Sequence, residues 1–199
     1  MRKVILSMNI TLDGFMGGPR GELDWHFNYW NGEMSRYTCE QLAKADTILL
    51  GRVTYDAMVS YWPLLTNDLS LPREDIVFAG MMNHYVKIVF SRTLKKTTWY
   101  NARIAKGHVG KIIMKLKAQP GKDMMIYGSG SIASAVMRLG MVDELVLWIH
   151  PVLLGKGKPL FRKWQDKMAL TLINTETFCS GVMVAYYRVD RSYNATEAS

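Results

Sequence analysis

The feature that most constrains this chain is a repeated alternation. Short apolar runs end abruptly in glycine or a polar residue, and segments with helical spacing follow them. "ILLGRVTYDAM" (residues 48–58) shows the pattern in miniature: an apolar run, then Gly51, Arg52, Thr54, Tyr55 and Asp56. A short run with no polar alternation reads as a strand buried on both faces, and parallel neighbours of that kind need helical crossovers. "DTILLG", "YVKIVFS" and "DMMIYGSGS" repeat the strand half. "MSRYTCEQLAKA" (34–45) has the helical half, with Met34, Tyr37, Leu42 and Ala45 on one face. "VTYDAMVSYW" reads as a helix stopped before Pro63, since the residue before proline is pushed out of the helical region. "VGKIIMKLKAQPG" is a helix closed by Pro120 and Gly121, and "IASAVMRLGM" one capped by Gly140. Val4–Thr11 is the first strand and "DELVLWIHPVLL" a late one. "MALTLINTETFCSGVMVAYYRV" is a hairpin turning at Ser180-Gly181. Residues 64–83 read as irregular. The order predicts an α/β domain with a mostly parallel sheet and an antiparallel C-terminal edge.

Length and composition fit one such domain. The chain has 199 residues, 49% hydrophobic and 21% charged, enough apolar material for a core. Residues 1–190 are expected to form a single domain and 191–199 a disordered tail. No apolar run approaches the roughly 18 residues of a membrane span. The start "MRKVILSMNITLDG" is broken by Ser7, Asn9 and Thr11 and has no small-residue cleavage site, so it reads as a strand rather than a leader. Cys39 and Cys179 fit no metal or redox spacing; reduced thiols in a cytoplasm are expected, and no metal. "NAT" at 194–196 carries meaning only in a secreted protein. The net charge is +8, but the basic residues are scattered, which fits a solvated surface and a phosphate-bearing small ligand rather than nucleic acid.

In open α/β sheets ligands sit beyond the carboxyl ends of the strands. Four such ends carry unusual chemistry. Gly51 permits a tight turn into a helix whose first N–H groups suit a phosphate; Arg52 adds a charged fork and Thr54 a hydroxyl, although Thr54 also fits a plain N-cap. Ser91-Arg92 is a second hydroxyl-guanidinium pair. Gly128-Ser129-Gly130-Ser131 leaves a strand and opens a helix, yet G-x-G-x-x-G is not met because position 133 is alanine. Asp13-Gly14 begins a glycine-rich loop that either turns or folds over a ligand. Two arginines with neighbouring hydroxyls and one glycine turn suit an adenine dinucleotide bearing an extra 2′-phosphate.

With these residues assembled, the chain resembles the dihydrofolate reductase-like superfamily, most closely the reductase (RibD C-terminal) domain of the riboflavin-biosynthesis deaminase-reductase. "SMNITLDGFM", "ILLGRVTYDAM", "IVFSRTL", "KDMMIYGSGSIASAVMRLGMVDEL" and "LVLWIHPVLLGKGKPLF" carry the resemblance, in family order from residue 4 to about 189. It implies a central sheet with helices on both faces, NADPH as hydride donor, a small heterocyclic substrate and a homodimer. Arg52 and Thr54 match positions at the cofactor phosphates. Ser91 and Arg92 match those at the 2′-phosphate. Gly128, Ser129, Gly130, Ser131 and Ile132 match the turn under pyrophosphate and nicotinamide. Met8 and Asn9 match the strand end at the carboxamide, and Asp13 the covering loop. Dihydrofolate reductases join two glycines by a cis bond in that turn; Gly128-Ser129 departs from the pair, and a cis bond outside proline costs about 2.5–4 kcal/mol. No H-x-E with P-C-x-x-C occurs, so the deaminase half is absent.

The substrate side departs from the family further. "GELDWHF" offers Glu22 and Asp24 without the Pro-rich segment of dihydrofolate reductases. Glu22 has the matching spacing for a proton donor. Asp24 fits as an alternative or as a helix-terminal charge, as does Glu22. A carboxyl in a partly apolar pocket would have a raised pKa and serve as an acid, directly or through water; Trp25 and Trp148 fit the walls of such a pocket, and fit plain core residues as well. "GKGKPLF" (155–161) is expected to be a structural loop. The four histidines have no place in the resemblance. A protein of this fold that binds nucleotide without turnover is the competing reading, and it needs neither carboxylate.

Overall fold

Apolar runs flanked by glycine and polar residues become strands that are covered on both sides. The structure, a computed structural model, describes residues 1–65, 68, 70–162, 164 and 167–190. The tail 191–199 lies outside them. The elements run β1 (Val4–Thr11), α1 (Asp24–Phe27), α2 (Gly32–Leu42), β2 (Ala45–Gly51), α3 (Arg52–Val59), α4 (Trp62–Leu65), α5 (Arg73–His84) and β3 (Val86–Phe90). They continue with β4 (Ala102–Ala105), α6 (Val109–Lys117), β5 (Asp123–Tyr127), α7 (Gly130–Arg138), β6 (Glu144–His150), β7 (Leu170–Thr177) and β8 (Met183–Val189). The strands form one eight-stranded sheet in the order β4-β3-β2-β5-β1-β6-β8-β7. Pairings from β4 to β6 are parallel; β6–β8 and β8–β7 are antiparallel.

The two-residue period of a strand divides the core into two layers. Val4, Leu6, Met8 and Ile10 of β1 pack with Ile113 of α6 and with Ile132 and Val136 of α7. Ile5 belongs to the opposite layer, with Met34 and Leu42 of α2, Tyr55 of α3, and Phe78 and Met82 of α5. The amino ends of the strands are held by charge. Lys117 Nζ donates to Asp143 Oδ2 at 2.5 Å, and the same carboxylate accepts the N–H of Val4 at 2.7 Å. Arg2 pairs with Asp46 and donates to Thr47 Oγ1 at 2.7 Å.

Several boundaries differ from the sequence reading, for local reasons. α2 begins at Gly32 because Asn31 caps it, its side chain accepting from the N–H of Met34 at 3.0 Å. It ends at Leu42, so Ala45 opens β2 instead of completing the helical face. α3 stops at Val59, and Pro63 sits in the first turn of α4, where its missing N–H is not needed. Much of the stretch read as irregular is α5, opened by Pro72 with Glu74 and Asp75 in its first turn. The short strand β4 was not foreseen. The hairpin turns where expected: Gly181 has φ +82, and its N–H bonds the Phe178 carbonyl at 2.8 Å.

Candidate functional site

Five neighbouring parallel strands, in the order β3, β2, β5, β1, β6, deliver Ser91, Gly51, Gly128, Asn9 and His150 to one edge of the sheet. At a strand spacing of about 4.8 Å the row spans roughly 19 Å. That is an elongated site built from residues far apart in the chain.

Its centre is the contact between the tips of β2 and β5. Gly51 N–H donates to Ser129 Oγ at 2.7 Å, and Thr54 Oγ1 donates to the Gly128 carbonyl at 3.3 Å. A methyl group on Gly51 would stand 2.6 Å from Ser129 Oγ and 3.1 Å from Ser131 Oγ, so only glycine lets the two turns meet. Gly128 has φ +58, and none of the described peptide bonds is cis, including Gly128-Ser129. α3 and α7 therefore begin side by side, and no side chain caps either first turn. Paired, uncapped helix starts present N–H groups and positive dipole ends, which fits an anion such as a pyrophosphate. Ser131 is exposed and free to add a hydroxyl.

The flanking cations are accessible. Arg52 forms an i,i+4 pair with Asp56 at 2.9 Å, both half exposed. Such a pair contributes at most about 0.5 kcal/mol and yields readily to a phosphate. Ser91 Oγ accepts the N–H groups of Thr93 and Leu94 at 3.2 and 2.9 Å, and Arg92 projects into solvent. Other expected site residues have side chains that are turned away or engaged. Met8 and Ile132 are buried in the α6–α7 layer, and the hydroxyl of Ser129 is engaged by Gly51.

The covering loop is a clasp of two segments. The Asp13 carboxylate accepts the hydroxyl of Thr11 at 2.6 Å and the N–H groups of Leu154 and Gly155 at 3.1 and 2.8 Å. The Thr11 hydroxyl, more than those amides, holds the Asp13 carboxyl below the usual carboxylate range. Met16 N–H bonds the Lys158 carbonyl at 2.9 Å, Lys158 N–H bonds the Gly17 carbonyl at 2.8 Å, and Phe15 bridges Pro159. The loop 155–161 is thus the structural partner of 13–18. The clasp lays the Met16 thioether on Gly130, at the start of α7.

At the β1–β6 end the walls are aromatic. Trp25 meets His150 edge-on with ring centres 5.2 Å apart, and His26 and Tyr29 each lie 5.9 Å from the same imidazole. Trp148 lies deeper: it is buried, stacked on Phe178 at 5.8 Å, with Trp30 6.2 Å away. His150 is fully buried; its Nε2 lies 3.0 Å from Asn9 Oδ1, and its Nδ1 has no partner. Burial, helped by His26, pushes its pKa down to about 4. Burial also lowers that of His26, against the opposing pull of the Leu23 carbonyl and Asp24.

The two carboxylates lie in different surroundings. Glu22 turns back on its own loop: Oε1 accepts Arg20 Nε at 2.6 Å and Oε2 the Arg20 N–H at 2.8 Å. The Arg20 side chain, foremost, holds its carboxyl at about 2, so it is ionised near neutrality. That opposes the raised value expected of a carboxyl in a partly apolar pocket. Asp24 is exposed in the first turn of α1. The sequence reading missed His150, His26, Tyr29 and Met16. The pairing register of β1 with β6, which sets Asn9 opposite Trp148 and Thr11 opposite His150, brings His150 to the site, α1 and the turn after it bring His26 and Tyr29, and the clasp brings Met16.

Known proteins share this architecture. The family model of the RibD C-terminal domain matches residues 2–184. The uncharacterized protein YyaP of Bacillus subtilis (strain 168) is 37% identical over 186 residues, 94% of each chain. A crystal structure from Shewanella sp. PV-4, attributed to riboflavin biosynthesis, superposes with a TM-score of 0.73 at 22% identity, covering 95% of this chain and 99% of that one. The diaminohydroxyphosphoribosylaminopyrimidine deaminase/5-amino-6-(5-phosphoribosylamino)uracil reductase of Thermotoga maritima gives 0.66 at 18% identity, covering 95% of this chain and 57% of that longer one. At these identities the structural matches show the fold.

Proposed function

The chain belongs to the RibD C-terminal domain family, and from that premise we propose that it is an NADPH-dependent reductase of a pterin, a ribosylaminopyrimidine or another small planar heterocycle. The observation that carries the reading is the junction of the uncapped starts of α3 and α7, held together by Gly51 and Ser129, at the middle of a row that ends in an aromatic cleft. A dinucleotide fits that row. Gly128 through Ile132 would cradle its pyrophosphate with backbone N–H groups, beside Arg52 and Thr54. Ser91 and Arg92 would take the 2′-phosphate one strand beyond Gly51. Asn9 would meet the carboxamide, and Met16 would withdraw from Gly130 to admit the phosphates.

The chemistry such a cofactor brings is hydride donation. This chain's own residues bind, orient and exclude water. Trp25, His26 and Tyr29 wall the cleft in which a planar acceptor lies, and the 13–18 clasp shields it. Glu22, ionised and bound to Arg20, organises the loop and is not the proton source; the proton comes from water at the open side of the cleft.

The decisive measurement is a pair of titrations followed by tryptophan fluorescence. NADPH is expected to bind at least tenfold more tightly than NADH, because Ser91 and Arg92 would meet the extra phosphate and no strand-end carboxylate among the described residues awaits a free ribose hydroxyl. Equal affinities or a preference for NADH sink the reading. Binding without NADPH oxidation across a panel of pterins and aminopyrimidines favours the alternative, a nucleotide-binding protein without turnover, which the engagement of Glu22 by Arg20 also suits.

A further inference from the structure

We propose that His150 is a positioning residue: it holds the Asn9 amide so that its Nδ2 hydrogens meet the carboxamide oxygen of a nicotinamide. The inference rests on the cofactor reading above. The imidazole is fully buried, and among the described residues its one polar contact is Nε2 with Asn9 Oδ1 at 3.0 Å. A neutral imidazole carries one N–H. If that hydrogen were on Nδ1, a buried donor would have no acceptor, a rare and unfavourable arrangement. With the hydrogen on Nε2, the contact becomes a donation to Asn9 Oδ1, and Nδ1 keeps only a lone pair. Burial keeps the ring neutral, so the second proton is not available to reverse the assignment.

The tautomer dictates what Asn9 offers. Its Oδ1 is occupied, so the NH2 end is the one available to a ligand, and Asn9 keeps part of its surface exposed at the edge of the cleft. A free Asn side chain presents oxygen or nitrogen with similar ease. Here the buried ring, fixed edge-on by Trp25, selects the donor face. The cleft floor then recognises an oxygen acceptor and rejects a donor at the same place.

The test has two arms. In the first, the four histidines of the full-length protein are labelled with ¹⁵N and the His150 resonances assigned by their loss in His150→Gln. Protonated Nε2 with bare Nδ1 is expected; the opposite tautomer overturns the proposal whatever the protein binds. In the second, affinities are measured for NADP+ and for 2′-phospho-ADP-ribose, which lacks the nicotinamide. Asn9→Asp and His150→Leu are expected to weaken NADP+ at least tenfold while changing 2′-phospho-ADP-ribose less than twofold. His150→Gln, whose amide N–H can occupy the Nε2 position, is expected to restore NADP+ binding. If Asn9→Asp binds NADP+ as the unaltered protein does, the proposal is overturned; Asn9→Asp removes the donor without enlarging or emptying the core, so this arm holds even where His150→Leu fails to fold. Failure of the unaltered protein to bind either probe overturns the cofactor reading and the ligand half of this proposal, while the tautomer is still decided by the first arm.

Discussion

A buried imidazole that resists protonation makes stability depend on pH. His150 faces Asn9, Trp25, His26 and Tyr29, and its pKa falls from 6.5 to about 4 on folding. Between those values the unfolded chain binds the extra proton and the folded chain does not, so stability rises with pH across the window and is lost as pH falls from 6.5 toward 4. The loss amounts to at most about 3 kcal/mol. Urea midpoints at pH 7 and pH 4.5 should differ by less in His150→Gln than in the unaltered protein; an unchanged difference refutes the assignment. Glu22 yields a second expectation. Its carboxyl is already ionised and committed to Arg20, so Glu22→Gln should lower turnover of a verified substrate less than tenfold. A loss of about 10²-fold or more is the scale of general acid catalysis and would restore the role its spacing indicated. At this scale the sequence disclosed the residues that punctuate strand ends, Gly51, Arg52 and Gly128 among them, because glycine and charge after an apolar run have few other uses. It could not disclose that Asn9 and His150 touch, being 141 positions apart, or that Glu22 would find Arg20 before it found a ligand.

Among the elements, the strands and helices with continuous apolar runs or a clear stripe were legible, and the exceptions are instructive. α5 carries Phe78 and Met82 one turn apart, but Gly80 and a charged opening blur the stripe. β4 has four residues at the sheet's edge, too short a run, with one β-branched residue, to signal a strand. The clasp between 13–18 and 154–160 has no periodicity at all; its pairing rests on backbone hydrogen bonds and on small residues that let two chains approach. Gly157 is the tightest point. A methyl group there would collide with the Gly17 carbonyl and crowd the Phe15 ring. Gly157→Ala is therefore expected to cost about 1–3 kcal/mol in chemical denaturation and to weaken NADPH binding. Gly130→Ala is the contrast. Its methyl group would meet only the flexible end of Met16, so stability should change by less than 1 kcal/mol. Equal destabilisation by the two variants contradicts the clasp.

For the whole molecule, the sheet has one finished edge and one unfinished one. β4 is short, whereas β7 runs for eight residues, all exposed, with Leu172 and Ile173 each about half accessible (53% and 51%). Beside it an apolar cavity of about 170 Å³ is lined by Met137, Leu145, Phe161, Trp164, Met168 and Leu170. A long, exposed edge strand carrying an apolar patch at Leu170, Leu172 and Ile173 is a template for another strand, and a second copy of this chain is the occupant expected here. Light scattering at micromolar concentration should return twice the 22.7 kDa of the chain, and Leu172→Lys with Ile173→Lys should return a monomer. A monomeric mass for the unaltered protein refutes the expectation. The sequence indicated this edge through its apolar content, but not the strand order that leaves β7 outermost, because order is set by crossovers rather than by composition. None of the helices among the described residues is long and apolar enough to cross a membrane.

The row of strand tips has a last consequence. Its members are drawn from residues 9, 51, 91, 128 and 150, and each is placed by a different strand. No fragment of the chain contains the site, and no single element can open without dismantling it. A ligand in the row therefore acts as a fastener for the central sheet: it is bound only by the assembled sheet, and each increment of occupancy is returned as resistance to unfolding, about 2.7 kcal/mol at a hundredfold excess over Kd. The concentration of such a ligand in its surroundings would thus set the lifetime of the protein.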